Sequence, residues 1–221
     1  MPGDPGGIVS VLTPVSLGIS LGLGCSPECD GFAGPLLLQM GSGKYDVCAT
    51  MSLPKTVEQW QEGHRTARKR AWRADRAGYG FARIHPQAWS DDIHGVNISR
   101  GYRQGRPMTE GYQHPPEFGE ESYPCKLHAV RRYAVLAPDH HLVAYLWMYR
   151  AGDLALVSQV LGHADHEPNG VMQLLFREAL MAESRVAPGV CVYNRWDSGT
   201  DGLRQAKAWV GFEETAVEWL P

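Results

Sequence analysis

Thirteen residues, HRTARKRAWRADR over positions 64–76, hold the densest charge in the chain: Arg65, Arg68, Lys69, Arg70, Arg73 and Arg76 stand against the single acid Asp75, a local charge of +5. The whole chain carries −3, so the rest of it is about −8, and a basic island on an acidic body is the pattern of a polyanion docking face. At helical spacing several of these guanidiniums share one stripe. Lys/Arg contacts to phosphate give affinity that is salt-sensitive and largely blind to sequence, which suits the stem of a folded RNA. A solvated helix face is the competing account, but such faces usually interleave acids with their cations. Trp72, inside the run, is expected to be a core anchor rather than a stacking platform. Downstream, the loop over 97–112 offers Arg103 and Arg106, whose planar forks suit terminal phosphates or a carboxylate, with Gln104 between them as a hydrogen-bonding partner for a base or peptide. The plainer account of that loop is a surface connection stiffened by its prolines.

Three further groups could do chemistry. Cys25 and Cys29, with Cys125 and His128, form two ligand pairs on Pro-containing turns, a Cys3His set suited to structural zinc that would pin the N-terminal segment; unrelated free thiols are the alternative. Cys48 and Cys191 fall in apolar runs and read as core residues. His163 and Asp165, in the segment His163-Ala164-Asp165-His166, are placed to take a proton from an amine or simply to cap a turn. Asn194 and Asp197, in the polar run after the apolar Val190 to Tyr193, are placed to orient an ester carbonyl or an amine, with helix capping by Ser198, Thr200 or Asp201 as the competing explanation. No Ser/His/Asp order recommends covalent catalysis.

The elements that must position these groups are legible in outline. With 221 residues and 43% hydrophobic content, one domain with a sizeable core is expected, on a prior of roughly 100 to 200 residues per domain. No apolar run approaches the ~18 residues of a membrane helix. Residues 1–35 read as a loose arm or edge strand; no Lys or Arg precedes Lys44, so an export signal is not expected and a reducing, cytoplasmic setting is. Residues 36–53 read as strand, glycine turn and strand. Residues 56–77 form the basic helix, capped by Thr56 and stopped by Gly78. Residues 91–119 are a long loop after a short helix near Asp91. Three antiparallel strands (Tyr133 to Leu136, Leu142 to Tyr149, Leu154 to Leu161) lead to a largely buried helix over Gly170 to Ser184, a strand over Val190 to Asn194, a short helix over Gly202 to Val210, and a last strand ending near Trp219.

This order over 129–219, with Gly199-Thr200-Asp201-Gly202-Leu203, then Lys207 and Gly211-Phe212, resembles the second half of the GNAT acyltransferase fold. The resemblance implies an α+β domain with a mixed, largely antiparallel sheet flanked by helices, plus an N-terminal arm and hairpin. GNAT enzymes hold coenzyme A pyrophosphate on a glycine-rich turn at the start of the central helix; here that stretch carries Asp165 and Glu167 and lacks the glycines. The branch of the superfamily that takes its acyl group from aminoacyl-tRNA, as the Fem peptidyltransferases do, matches the basic helix better. With its H-R-T-A-R-K-R run and N-x-S…R-Q-G-R-P-M loop, the chain as a whole is similar to a bacterial group that includes the alanyl-tRNA-dependent transferase of pacidamycin biosynthesis. That resemblance implies an aminoacyltransferase moving an alanyl group to a peptide or peptidyl nucleoside amine, with no cofactor needed for transfer. A coenzyme A dependent N-acetyltransferase and a non-catalytic RNA-binding module are the two alternatives.

Overall fold

The computed structural model describes residues 9–13, 16–20, 45–119, 128–187 and 189–220. Among the described residues eleven strands and five α-helices follow one another: β1 (Val9–Thr13), β2 (Ser16–Ser20), β3 (Tyr45–Ser52), α1 (Val57–Gly63), α2 (Arg65–Arg76), β4 (Gly80–Arg83), α3 (Ser90–Ile98), β5 (Tyr102–Arg103), β6 (Arg106–Pro107), β7 (His128–Leu136), β8 (Leu142–Ala151), β9 (Leu154–Gly162), α4 (Val171–Val186), β10 (Val190–Arg195), α5 (Asp201–Val210) and β11 (Glu213–Leu220). Nine strands make one sheet in the order β1-β2-β11-β3-β10-β9-β8-β7-β4. Its pairs are antiparallel except β2 with β11 and β9 with β10.

β7, β8 and β9 are a meander joined by tight turns, with His140 (φ 70°) in the first and Gly152 (φ 58°) in the second. β8 is buried along nearly its whole length because both faces of the sheet are covered. Side chains alternate across a strand, so Leu146 and Met148 join the core under α2 and α4, while Tyr145 and Trp147 join a second core under α3. At the far end of α4 the fully buried Glu183 accepts from the Tyr133 hydroxyl (2.7 Å) and faces Arg131 (3.4 Å) and Arg150 (3.7 Å). This network ties the helix to β7 and β8.

The basic segment differs from the expected single helix. Thr56 caps it, accepting from the Gln59 N–H, and Gly78 (φ 83°) ends it, but the chain breaks at His64 (φ −124°, ψ 54°). The break lets α1 bury Trp60, whose Nε1–H donates to the Val210 carbonyl (3.0 Å), while α2 packs through Ala67, Ala71 and Ala74. Gly170, at the head of α4, has φ 89° and no room for a Cβ against the Arg70 carbonyl, so α2 sits hard against the start of the central helix. The short helix expected near Asp91 is α3, and the long loop expected after it is partly ordered into the two-residue β5–β6 hairpin. Of the expected 36–53 hairpin, Tyr45–Ser52 is a strand flanked by β10 and β11; its first half lies outside the described residues.

Candidate active site and basic helix

The site begins where two strands part. β9 and β10 run parallel but pair only over 154–156 and 190–192. Beyond that, Ser158 is an extra residue in β9, since Trp147 pairs with Gln159 and Met148 with Val157. A bulge bends and twists its strand. On the other side, Asn194 takes a left-handed conformation (φ 54°) as β10 loses register with β3. The strands therefore splay, opening a cleft of about 730 Å³ bordered by α2, α4 and α5 and a second of about 540 Å³ toward the β10–α5 turn. Gln104, Arg106, Tyr112, Tyr193 and Leu203 line both. The β5–β6 hairpin thus lies across one groove, with Gln104 (φ 52°) at its tip and its amide oxygen close against Gly199.

The larger cleft is strongly basic: Arg70, Arg100, Arg103, Arg106 and Lys207 line it, with Glu167 the one acid among the described residues. Glu167 is bound by Arg100 (3.1 Å) and Arg103 (3.1 Å). The second terminal nitrogen of Arg103 also donates to the Val96 carbonyl, the Ser99 hydroxyl and the Gly162 carbonyl (3.1, 3.1 and 2.8 Å). Arg103 therefore anchors the hairpin, whereas Arg106 is exposed. The floor of the smaller cleft is stiffened by Gln159, whose Nε2 donates to the Tyr112 (3.1 Å) and Tyr145 (2.9 Å) hydroxyls, and Tyr145 in turn donates to Asn97 (2.6 Å).

Two residues that sequence reasoning passed over line the larger cleft. Lys207 is 1% exposed; its ammonium donates to the Arg195 carbonyl (2.5 Å) and the Ser198 hydroxyl (3.0 Å) and lies 5.1 Å from the Tyr193 ring centre. Burial pushes its pKa down to about 8. Because both acceptors line the smaller cleft, Lys207 stands at the junction of the two, with one of its three donors still available. The sequence had counted it only as a landmark of the closing helix. The overlooked signal is a lysine in the apolar stripe Leu203, Ala206, Val210. Gln173, in the first turn of α4, is buried with its Oε1 unpaired.

The proton-handling candidates are divided. Asn194 and Asp197 line the smaller cleft; the Asn194 side chain accepts from the Arg195 N–H (2.7 Å), and Asp197 is held by the Arg195 guanidinium (3.2 and 3.3 Å). His163 and Asp165 line neither cleft. They belong to a turn in which the Asp165 N–H donates to His163 Nδ1 (3.3 Å) and the His163 N–H to the Val143 carbonyl (2.7 Å). Next to them, His166 bonds the Tyr79 hydroxyl (2.8 Å) and is held below the usual histidine pKa, first by burial and then by His163.

On the basic helix, Arg65, Lys69, Arg73 and Arg76 are exposed and Arg68 and Arg70 half-buried. Among the described residues none of the six is paired with a carboxylate. The run's own acid, Asp75, is claimed by Arg177 of α4 (2.7 and 2.9 Å). Arg73 donates to the Pro168 carbonyl (3.0 Å) and Arg70 lies 4.6 Å from the Trp209 ring centre, so one edge of α2 meets the cleft rim. Trp72 corrects the expectation of a core anchor: it is 56% exposed, because the small Ala face already fills the contact with the sheet layer. Of the metal-ligand candidates, Cys25, Cys29 and Cys125 lie outside the described residues, and His128 is buried at the start of β7. Among the described residues no group of three or more His, Cys, Asp or Glu could hold a metal, and no helix is long and apolar enough to cross a membrane.

No protein-family model matches the chain, and neither does any curated protein. Among solved structures it is similar to FemX (TM-score 0.55, 7% identity, 81% of this chain and 61% of that one) and to L-PGS from Bacillus licheniformis (0.53, 15%, 78% and 61%). A third, from Agrobacterium fabrum and assigned as the C-terminal domain of a putative lysylphosphatidylglycerol synthetase, aligns over 94% of this chain and 78% of its own (0.53, 13%). The chain spans about three fifths of the length of FemX and L-PGS. At these identities the likeness is one of fold alone, an α+β domain with a mixed, largely antiparallel sheet flanked by helices.

Proposed function

We propose that this chain is an aminoacyltransferase that takes its acyl group from aminoacyl-tRNA and passes it to an amine. The observation that carries this reading is the continuity of positive charge: helix cations that no carboxylate pairs among the described residues run from the outer face of α2, through Arg73 and Arg70 at the rim, into a basic cleft whose inner end holds a buried ammonium. Stem phosphates would lie on the outer stripe and the 3′ end would enter the larger cleft. The acceptor would approach through the smaller cleft, with Gln104 and Arg106 at the shared wall and Asn194 and Asp197 beside it.

The ester is already activated, so the protein's tasks are alignment and electrostatics. A neutral amine attacks the ester carbonyl and the C–N bond forms. The oxyanion is stabilised by the free donor of Lys207, the C–O bond to the ribose breaks, and the proton lost by nitrogen ends on the released hydroxyl. Asp197 and Asn194, which line the smaller cleft, are the candidates for guiding amine and proton; His163 and Asp165 line neither cleft and are left out of the scheme. The sequence resemblance names alanine and a peptidyl nucleoside amine as the first donor and acceptor to test, with no cofactor.

The test is transfer of label to amine acceptors from charged tRNA or from acetyl-coenzyme A, run side by side with purified protein. Transfer from charged tRNA alone is expected. Transfer only from acetyl-coenzyme A would refute the reading, and tight tRNA binding without transfer would leave an RNA-binding module.

A further inference from the structure

Trp72 is a large apolar side chain left 56% exposed on a helix whose buried face is all alanine. Arg68, Lys69, Asp75 and Arg76 lie three or four residues from it, at the ~5–6 Å spacing of helix neighbours, and the Asp75 carboxylate is engaged by Arg177 of α4. Among the described residues no aromatic or cationic side chain stacks on its ring, in contrast to Trp209, which Arg70 covers. The helix thus presents an open indole in the middle of unneutralised cations.

We infer that Trp72 is a stacking platform for an unpaired base of the docked RNA, next to the stem whose phosphates the surrounding cations hold. The inference rests on the tRNA-dependent reading above and adds the contact that tells a stem with a single-stranded tail from a plain duplex. A duplex keeps its bases stacked inside, so an exposed ring gains little from it, whereas an unpaired base offers a free π-face to any aromatic. Charge complementarity selects a polyanion. An anionic bilayer is the weaker fit, because the other exposed residues of α2 (Arg65, Thr66, Lys69, Arg73, Asp75 and Arg76) are polar or charged and supply no apolar face for insertion.

The experiment measures binding of a short RNA duplex, blunt or with an unpaired four-nucleotide 3′ tail on one strand, across a salt series. Trp72→Ala should weaken binding of the tailed RNA by about 5- to 150-fold, leave the slope against salt unchanged, and match the parent on the blunt RNA. Trp72→Phe, which keeps a π-face, should stay close to the parent. Equal affinity of Trp72→Ala and parent for the tailed RNA, or an equal loss on both RNAs, overturns the inference. So does Trp72-dependent binding to phosphatidylglycerol vesicles with RNA affinity unchanged. The two readings fail separately: a tail-specific Trp72 effect without aminoacyl transfer from any charged tRNA sinks the enzyme reading alone, and transfer indifferent to Trp72 sinks this one alone.

Discussion

Replacing Lys207 by methionine separates what this buried cation does for stability from what it does for chemistry. In the folded chain its pKa falls from 10.5 to about 8, chiefly through burial. At ~1.4 kcal/mol per tenfold, the charged form is penalised by about 3 kcal/mol on folding. Methionine removes that penalty together with the two hydrogen bonds that Lys207 makes to the Arg195 carbonyl and the Ser198 hydroxyl, each worth about 0.5–1.5 kcal/mol; the carbonyl keeps the Ser198 hydroxyl as a donor (2.8 Å). The two effects nearly cancel, so Lys207→Met should fold with a melting temperature within a few degrees of the parent. The pH dependence of stability carries the sign. Between about 8 and 10.5 the unfolded chain holds a proton on this lysine that the folded chain has lost, so the parent gains stability over the variant as pH rises through that window. Catalysis should move the other way. Loss of one donor to a developing oxyanion costs ~10²–10³ in rate, and the parent's single-turnover rate should fall as pH passes about 8 while that of Lys207→Met shows no such step. Single-turnover transfer from charged tRNA, with urea melts across the same pH range, measures both. A variant that keeps the parent's rate and pH profile would refute the assignment.

Three other expectations are independent of that one. Arg65→Glu with Lys69→Glu and Arg76→Glu, all on the exposed stripe, should raise KM for tRNA strongly and flatten the salt dependence by ~1 for each phosphate left unneutralised, with the melting temperature little changed. Glu183→Ala strands the Tyr133 hydroxyl and the Arg150 guanidinium in the interior and should destabilise by about 3–5 kcal/mol, which thermal melts would register as a drop of about 6–20 °C at ~2–4 °C per kcal/mol. Elemental analysis of the full chain tests the zinc set of Cys25, Cys29, Cys125 and His128; one zinc per chain, lost on Cys25→Ser with Cys29→Ser, is the expected result.

The parts of the fold legible in the sequence are those whose local signals agree with their final environment. The helix expected over Gly170 to Ser184 is α4 at Val171–Val186, because its apolar period matches a face pressed on the sheet. The meander was readable because β-branched and aromatic runs alternate with the Pro138-Asp139 and Gly152-Asp153 turns. The break at His64 carried one local signal, Gly63 just before it, a poor helix former, but a single glycine inside a helical pattern is ambiguous; what places the break is the distant demand that Trp60 reach Val210 while α2 fits against Gly170. Arg103 and Arg106 look equivalent in a linear reading. Their separation into an anchored and an open guanidinium depends on Glu167, Val96 and Gly162 converging on one of them.

By itself the sequence determined the order of the elements and the concentration of charge at 64–76, since periodicity, turn residues and local composition are properties of neighbours along the chain. Only the tertiary structure decided which charges remained available, because pairing and burial are settled by residues far apart in sequence. Arg177 takes Asp75 from across the helix layer, the splay of β9 and β10 opens the groove, packing sinks Lys207 out of water, and the narrow alanine contact leaves Trp72 outside it.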